Sequence, residues 1–492
     1  QKIAMNGAPL PSAKRAASVR TSAAGAPAQE ARSLAGLSKP AEIRIDRWGI
    51  AHIYAGDVAD AFFLQGYNVA RDRLWQIDLW RKRGLGLLAK DFGPDYVAQD
   101  RAARLLLYRG DMAAEWTAYG PGAQDNAAAF TRGINAYVAE IGAGKQPMPL
   151  EFRIAGTKPD LWTPEDVVRI RSHGLTRNVP NEVGRARIAC AAGIEAARLY
   201  KNIEPRWDPA LPAGLDPCDI DEGVLDDYRL GTSGVQVSVG SPKLALVDTP
   251  PEAVGSNSGT GAGSRTASGR PILANHPHRA HGAPSLRYIV HLEAPGFSVI
   301  GAGEPALPGV SIGHNGTIAF GLTIFPADQE DLYVYELKAG EPNLYRYGAG
   351  WEALKVVREE IEVKGESPRA VELAFTRHGP VLKTDASRNR AVALRSIWSE
   401  PGTSAYFGST GYMTAKDWTG FKSALANWAA PSVNQVYADT GGGIGWVAAA
   451  KVPNRTNWDG LSPVPGDGRY EWQGFMEGAC LSGIAAASQV LA

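Results

Sequence analysis

The chain has 492 residues, 44% hydrophobic and 21% charged, with 51 Lys+Arg against 51 Asp+Glu. This is a globular composition with no global field to draw it to nucleic acid or to an anionic membrane. No apolar run approaches the ~18 residues that a membrane helix needs. Residues 1–40, rich in Ala, Ser and Pro with scattered Arg and Lys, read as a disordered or loosely attached lead without a visible signal-peptide core. The three cysteines, Cys190, Cys218 and Cys480, contain no CxxC pair; a Cys190–Cys218 bridge is possible, but free buried thiols are the safer reading.

Order begins at EIRIDRWGIAHIYA, Glu42–Ala55, where Ile43 and Ile45 alternate with charged residues as in a half-buried strand and Gly49 marks a turn. The following DVADAFFLQGYNVARDRLWQIDLWRKRGLG has Phe63, Tyr67, Ala70, Leu74 and Ile77 at helical spacing. Asp60 is its expected N-cap, and Arg81, Lys82 and Arg83 suit the negative end of its dipole. Helical pattern continues to about residue 205, around Asn126–Ile141 and Ile188–Lys201. From about 206 to 255, Pro, Gly and Asp become frequent. From Pro271 strand-like runs dominate: RYIVHLEA, FSVIGAG, TIAFGLTIF, LYVYEL, KVVREEIEVK and VELAFTRHGPVL. A helix-rich half before a strand-rich half predicts an α+β fold. The expected organisation is a lead (1–40), a helix-rich region (41–230), a spacer (231–255) and a strand-rich region (256–492).

Four constellations bear on chemistry. GVSIG, Gly309–Gly313, matches the G-x-S-x-G nucleophile elbow, which would make Ser311 the nucleophile of a serine esterase. That motif needs a strand before the serine and a helix after it. Here Asn315-Gly316 signals a hairpin, and Ile318, Phe320 and Leu322 alternate as a strand. HPHRAH gathers His276, His278 and His281, but no fourth ligand or H-E-x-x-H accompanies them, so loop histidines with separate roles are favoured over a zinc site. The glycines at 259, 261 and 263 form neither a dinucleotide fingerprint nor a P-loop. In PADQEDLY, Asp328, Glu330 and Asp331 can direct oxygens at one hard cation, although the spacing alone equally describes a solvated acidic loop.

Read together and in order, IRIDRWGIAHIYA, AFFLQGYNVARDRLWQIDLWRKRGLGLLAKDFG, GSN followed by GSRTASGRPILANHPH, PGVSIGHNGTIAFGLT, TRHGPV, VYADTGGGIGWV and DGRYEWQGF resemble the penicillin acylase family of N-terminal-nucleophile hydrolases, from about Glu42 to Phe475. The resemblance implies an αββα sandwich of two stacked antiparallel sheets. It also implies a periplasmic or secreted precursor that cuts itself between Gly255 and Ser256 into an α and a β chain. Ser256 would then attack a small acyl amide, either penicillin-like or N-acyl-homoserine-lactone-like, using its own freed α-amine as base. An α-amine has a reference pKa of ~7.7–8.0, so part of it is neutral near pH 7. No Ser-His-Asp triad or organic cofactor is then required.

His278 aligns as a hydrogen-bonding partner of the nucleophile, and the backbone N–H of Ile324 as an oxyanion donor. By position, Arg177 and Asn178 fall near the pocket entrance. The resemblance further implies a structural Ca²⁺ held by Glu182, Asp328, the Glu330 carbonyl and Asp331. Two departures stand out. Ser258-Gly259-Thr260-Gly261 replaces the family's apolar nucleophile strand, and glycines leave such a strand little to pack. The family's oxyanion Asn, with an Arg near it, lies beyond DGRYEWQGF, where this chain reads MEGACLSGIAAASQVLA without an Asn. The expectation is therefore a C-terminally incomplete member, inactive by itself.

Overall fold

A computed structural model describes residues 31–170, 178–200, 207–235, 255–278, 282–403 and 409–477. The chain divides into a leading unit, Gln1–Ala35, whose described residues 31–35 hold no helix or strand, and a second unit from Gly36 onward.

The first long apolar period forms the helix Val58–Leu85. Its N-cap is Asp57, whose carboxylate accepts the Asp60 N–H at 2.8 Å. Asp60, the expected cap, lies inside the first turn and instead accepts the Ser38 and Lys39 N–H groups, each at 2.9 Å. Lys82 and Arg83 occupy the last turn, and Gly86 ends the helix at φ 67°. This helix packs against Ala123–Gly142. Two glycines allow the approach: a Cβ on Gly66 would lie 1.9 Å from the Phe130 carbonyl oxygen, and one on Gly133 would lie 1.9 Å from that of Phe63. Further helices include Val97–Leu105, Met112–Tyr119 and Val179–Ala192. The helix Asp226–Thr232 lies at the end of the region expected to be helix-rich, within the Pro-, Gly- and Asp-rich tract.

Cys190, on Val179–Ala192, and Cys218, in the short turn Pro217–Asp219, form a disulfide across a Cα–Cα distance of 5.0 Å. This corrects the free-thiol reading. Spacing alone could not show that the chain returns over 28 residues to the same point.

The strands are β1 (Glu42–Ile45), β2 (Ala51–Tyr54), β3 (Gly255–Gly261), β4 (Ile272–His278), β5 (Tyr288–Ala294), β6 (Phe297–Gly303), β7 (Ile312–His314), β8 (Ile318–Ile324), β9 (Glu330–Lys338), β10 (Glu341–Tyr347), β11 (Gly350–Ala353), β12 (Lys355–Ile361), β13 (Arg369–Thr376), β14 (Gly379–Asp385), β15 (Arg390–Ser396), β16 (Val433–Asp439), β17 (Ile444–Ala449), β18 (Lys451–Arg455), β19 (Val464–Pro465) and β20 (Trp472–Glu477). One sheet runs β1-β2-β5-β6-β7-β8-β16-β17. The other runs β11-β10-β9-β15-β14-β13-β12, with β19 beside β9. The run VELAFTRHGPVL is two strands, β13 and β14, folded back at Arg377-His378 with Thr376 opposite Gly379. Together with the helices, these sheets make the fold α+β.

At its centre, β9 and β15, the second sheet is buried on both faces, and β9 shows why its sequence reads as continuously apolar. Leu332 and Val334 join Val179, Val183, Leu105 and Leu106 beneath the helices. Tyr333, Tyr335 and Leu337 point the other way, to Tyr345, Val464 and Tyr470. Two-residue alternation therefore feeds two cores from one strand. In the first sheet Val290 and Leu292 of β5 are fully buried, and β5 packs against the helix Val58–Leu85. The intervening His291 is only half-buried.

Candidate active site

The glycine-rich stretch forms strand β3, paired among the described residues with β4 alone. A Cβ on Gly259 or Gly261 would meet nothing within 4 Å, so those glycines answer to no close packing. The ladder sets Gly255 opposite His278 and Ser256 opposite Pro277. Ser256 is half-buried, and its hydroxyl donates to the Gly255 carbonyl at 2.5 Å, beside the peptide bond between the two residues. The Asn257 amide Nδ2 lies 3.2 Å from His278 Nε2. With that amide as donor, Nε2 is the accepting nitrogen and a neutral ring carries its proton on Nδ1. Nδ1 is the nitrogen that faces Gly255, where a Cβ would approach it to 3.1 Å.

Asn275 fixes the hairpin to the first sheet. Its Nδ2 donates to the Leu322 carbonyl at 2.9 Å and its Oδ1 accepts the Leu322 N–H at 3.1 Å. Nothing in the sequence singled it out beyond a polar residue in the strand-like LANHPH. The same bonds orient β8. The Phe325 N–H reaches Ser432 at 3.3 Å, toward the chain entering β16. Amides alternate between the two edges of a strand, so the Ile324 N–H shares the Leu322 edge, on which the Ser256 hairpin docks. Ser256, His278 and the Ile324 amide thus belong to one hairpin-on-strand arrangement. His276 stands on strand β4 rather than in a loop, with its ring 4.6 Å from that of His278; His281 lies outside the described residues.

Ser311 is placed differently. It precedes the β7–β8 hairpin, not a helix. Its hydroxyl accepts from Arg287 Nη1 at 2.7 Å and donates to the Ala302 carbonyl at 3.4 Å. Among the described residues no imidazole bonds it. Asn315 explains the hairpin: its Oδ1 accepts the Thr317 and Ile318 N–H groups at 3.1 and 2.9 Å. A cleft of about 260 Å³ lined by Trp48, Asn68, Asp72, Arg73, Arg287 and Tyr288 includes neither Ser256 nor His278.

Glu182, Asp328 and Asp331 bring one carboxylate oxygen each to within 4.8 Å of one another. Glu182 and Asp331 are fully buried. Arg455 donates to Asp328 and to Asp331, both at 2.8 Å. Asp331 Oδ1 is buried without a hydrogen-bond partner. Burial and the two neighbouring aspartates raise the Glu182 carboxyl well above its ordinary value. Burial likewise raises Asp331, and pushes Asp328 up to about 8 against the opposing pull of Arg455. Three carboxylates against one guanidinium, with an oxygen left over, is a donor set that fits a hard divalent cation. The fourth expected ligand, the Glu330 carbonyl, lies beside the cluster, and a carbonyl oxygen carries a second lone pair beyond one hydrogen bond. The Glu330 carbonyl accepts from Asn178 Nδ2 at 2.6 Å, and its carboxylate is held by Tyr228 and Ser396 at 2.8 and 3.1 Å. Asn178 also bonds Glu182 and the Gln329 N–H, so it belongs to this acidic cluster; Arg177 lies outside the described residues.

A hydroxyl near the start of a strand, against the carbonyl of the residue before it and one position from the ladder partner of an imidazole, accords with a family assignment made on other grounds. The penicillin amidase family model matches residues 40–483, and the chain belongs to that family. It is 32% identical over 451 residues to a penicillin acylase 2 proenzyme of a Pseudomonas species, covering 90% of this chain and 57% of the relative. It is 29% identical over 469 residues to the acyl-homoserine lactone acylase QuiP of Pseudomonas aeruginosa, covering 92% and 54%. A solved thermostable penicillin G acylase from Alcaligenes faecalis is 30% identical, with coverage of 45% and 40% and a TM-score of 0.43. The chain spans a little over half the length of the curated relatives it matches.

Proposed function

We propose that the chain is the nucleophile-bearing part of an amidohydrolase that removes an acyl group from a small amide through Ser256. The observation that carries this reading is the Ser256 hydroxyl against the Gly255 carbonyl, in a member of the penicillin amidase family. In the self-cleavage step Ser256 Oγ attacks the Gly255 carbonyl carbon. The Gly255–Ser256 C–N bond breaks as its nitrogen takes up a proton, leaving an ester between Gly255 and the serine oxygen. That break already frees the α-amine of Ser256, and water then hydrolyses the ester, giving the Gly255 carboxylate and returning the Ser256 hydroxyl. The His278 Nδ1–H polarises the region of the Gly255 carbonyl in the first step.

In turnover the α-amine accepts the hydroxyl proton, Oγ attacks the substrate amide carbon, and the Ile324 N–H steadies the oxyanion; the C–N bond then breaks as the leaving amine takes that proton, and water hydrolyses the acyl ester on Ser256. The names of the relatives favour two acyl classes, penicillin-like and N-acyl-homoserine-lactone-like. Glu182, Asp328 and Asp331 would hold a structural Ca²⁺, joining the helix Val179–Ala192 upstream of the cut to β9 downstream; its chemistry is charge neutralisation. The Cys190–Cys218 disulfide supports an oxidising compartment such as the periplasm, and no helix among the described residues is long and apolar enough to cross a membrane.

The test is electrophoresis with N-terminal sequencing of the purified 492-residue chain. Two fragments are expected, the second beginning Ser-Asn-Ser-Gly, with Ser256→Ala remaining one band. An intact wild-type band after prolonged incubation would sink the self-cleavage reading. Assays of the cleaved chain with phenylacetyl amides and acyl-homoserine lactones then read the acyl class, and cleavage without turnover of either would accord with a chain inactive by itself.

A further inference from the structure

A second cluster of reactive side chains lies on the half-buried face of the first sheet, remote in sequence from Ser256. The parallel pair β2–β5 sets His52 directly beside His291. Their neighbours in register, Ala51 with Val290 and Ile53 with Leu292, are buried on the other face. The two imidazoles meet edge to face, and their Nδ1 atoms are 3.2 Å apart. Each ring turns its other nitrogen to a carboxylate: His52 Nε2 lies 3.4 Å from Asp46, and His291 Nε2 lies 3.4 Å from Glu293.

The two Nδ1 atoms stand at hydrogen-bond distance, so one ring donates to the other unless a cation lies between them. A carboxylate accepts only, so with a cation present the ring protons sit on the Nε2 atoms, bonded to Asp46 and paired with Glu293, and both Nδ1 lone pairs are free. Two lone pairs then converge on one point, and a positive species between them relieves their repulsion. A metal bound to two imidazoles at about 2.0–2.1 Å with a tetrahedral angle sets its nitrogens about 3.3 Å apart, close to the observed spacing. An imidazole whose far N–H is held by a carboxylate is the common outer arrangement of histidine metal ligands. Both rings are partly exposed, with 25% and 18% of their side-chain surface accessible, so water can complete the coordination.

We infer that His52 and His291 form a two-histidine site for a borderline divalent transition metal ion of the Zn²⁺ class, oriented by Asp46 and Glu293. Imidazole suits this class better than Ca²⁺ or Mg²⁺, which separates the site from the oxygen-only cluster at Glu182. Its placement suggests a purpose. β2 lies upstream of Ser256 and β5 downstream, so a metal here joins the two pieces that self-cleavage would leave covalently separate, except where the inference stands without cleavage as a simple clamp between β2 and β5.

The experiment is a Co²⁺ titration of the full chain in saturating Ca²⁺, followed by the visible absorption of nitrogen-ligated cobalt, with Zn²⁺ as competitor. About one Co²⁺ per chain is expected, displaced by Zn²⁺. Affinity should fall at least tenfold in His52→Gln and in His291→Gln, and severalfold in Asp46→Asn, which keeps both ligands should either histidine variant fail to fold. His276→Gln should bind as wild type does. Unchanged binding in the His52→Gln/His291→Gln double variant, loss of binding in His276→Gln, or no cobalt spectrum in the wild type would each overturn the site. None of these readouts depends on Ser256 chemistry.

Discussion

The Asn275 side chain bonds both the N–H and the carbonyl of Leu322, at 3.1 and 2.9 Å, and so replaces a strand neighbour that β8 lacks at that point. Through this one residue the Ser256 hairpin is set against the strand that ends in Ile324. Asn275→Ala removes both bonds and leaves two backbone groups to find water; an unsatisfied buried group costs roughly 1–3 kcal/mol. If the chain cleaves itself as proposed, the expected result is a folded chain in which that cleavage slows at least tenfold. Asn275→Asp, which can still accept from Leu322 but cannot donate to it, should fall between. A time course on gels measures both, and an Asn275→Ala chain cleaving at the wild-type rate would show that the hairpin docks by other means.

Asn275 also marks the limit of what the sequence discloses. The α+β class was legible because the period of apolar residues changes from helical to alternating near Pro271. The Asn315 hairpin was legible because Asn-Gly has a local conformational preference that needs no tertiary context. Asp328 and Asp331 stood out in PADQEDLY as oxygen donors, whereas Ser256 and Glu182 were singled out only through several motifs in one order. Asn275, Arg455 and the His52–His291 pair were not, because each acts on a residue far along the chain. His52 and His291 are 239 positions apart, and only strand register makes them neighbours. Asp57 displaced Asp60 as helix cap for a similar reason: Asp60 is drawn to Ser38 and Lys39.

The facing glycines of the two long helices make a stability test independent of chemistry. A methyl at Gly66 or at Gly133 would fall 1.9 Å from a backbone oxygen of the other helix, and backbone cannot rotate aside. The helices must then separate, opening the packing around Phe63 and Phe130. Gly66→Ala and Gly133→Ala should each destabilise by roughly 3 kcal/mol or more, in the range of severe overpacking. They should do so despite alanine's better helix propensity, worth about 1 kcal/mol in the opposite direction. Chemical denaturation decides, and a variant as stable as wild type would mean that the helices do not approach this closely.

Asp100 supplies a pH dependence with a defined sign. Its carboxylate accepts the Leu88 and Ala89 N–H groups at 2.9 and 2.7 Å, yet burial outweighs those bonds and pushes it up from 3.8 to about 6. Between those values the unfolded chain loses the proton and the folded chain keeps it, so stability falls as pH rises from about 4 to about 6 and then levels. A shift of this size corresponds to about 3 kcal/mol. In Asp100→Asn the group no longer titrates, and that part of the slope should vanish, while loss of one N–H acceptor lowers stability about equally at every pH. Urea melts at intervals from pH 4 to pH 7 test this through the difference between variant and wild type. Parallel curves would assign the proton elsewhere.

Arg455 and the three carboxylates it faces predict a metal-dependent stability. Burial works against its charge, but Asp331 and Asp328 hold the guanidinium firmly protonated. One such charge does not balance Glu182, Asp328 and Asp331. If Ca²⁺ completes the cluster, a concentration one hundred times its Kd stabilises by about 2.7 kcal/mol, and the wild-type Tm should rise by several degrees between chelator and millimolar Ca²⁺. Arg455→Met sharpens the contrast. Removing one partner of a buried ion pair costs roughly 3–5 kcal/mol, so in chelator the variant should melt far below wild type. Added Ca²⁺ should return much of that loss, because the cation then faces carboxylates with no competing guanidinium. Mg²⁺, smaller and bound to water more firmly, should restore less. Melting curves indifferent to Ca²⁺ in both proteins would leave the cluster as a protonated, hydrogen-bonded joint between the helix Val179–Ala192 and β9.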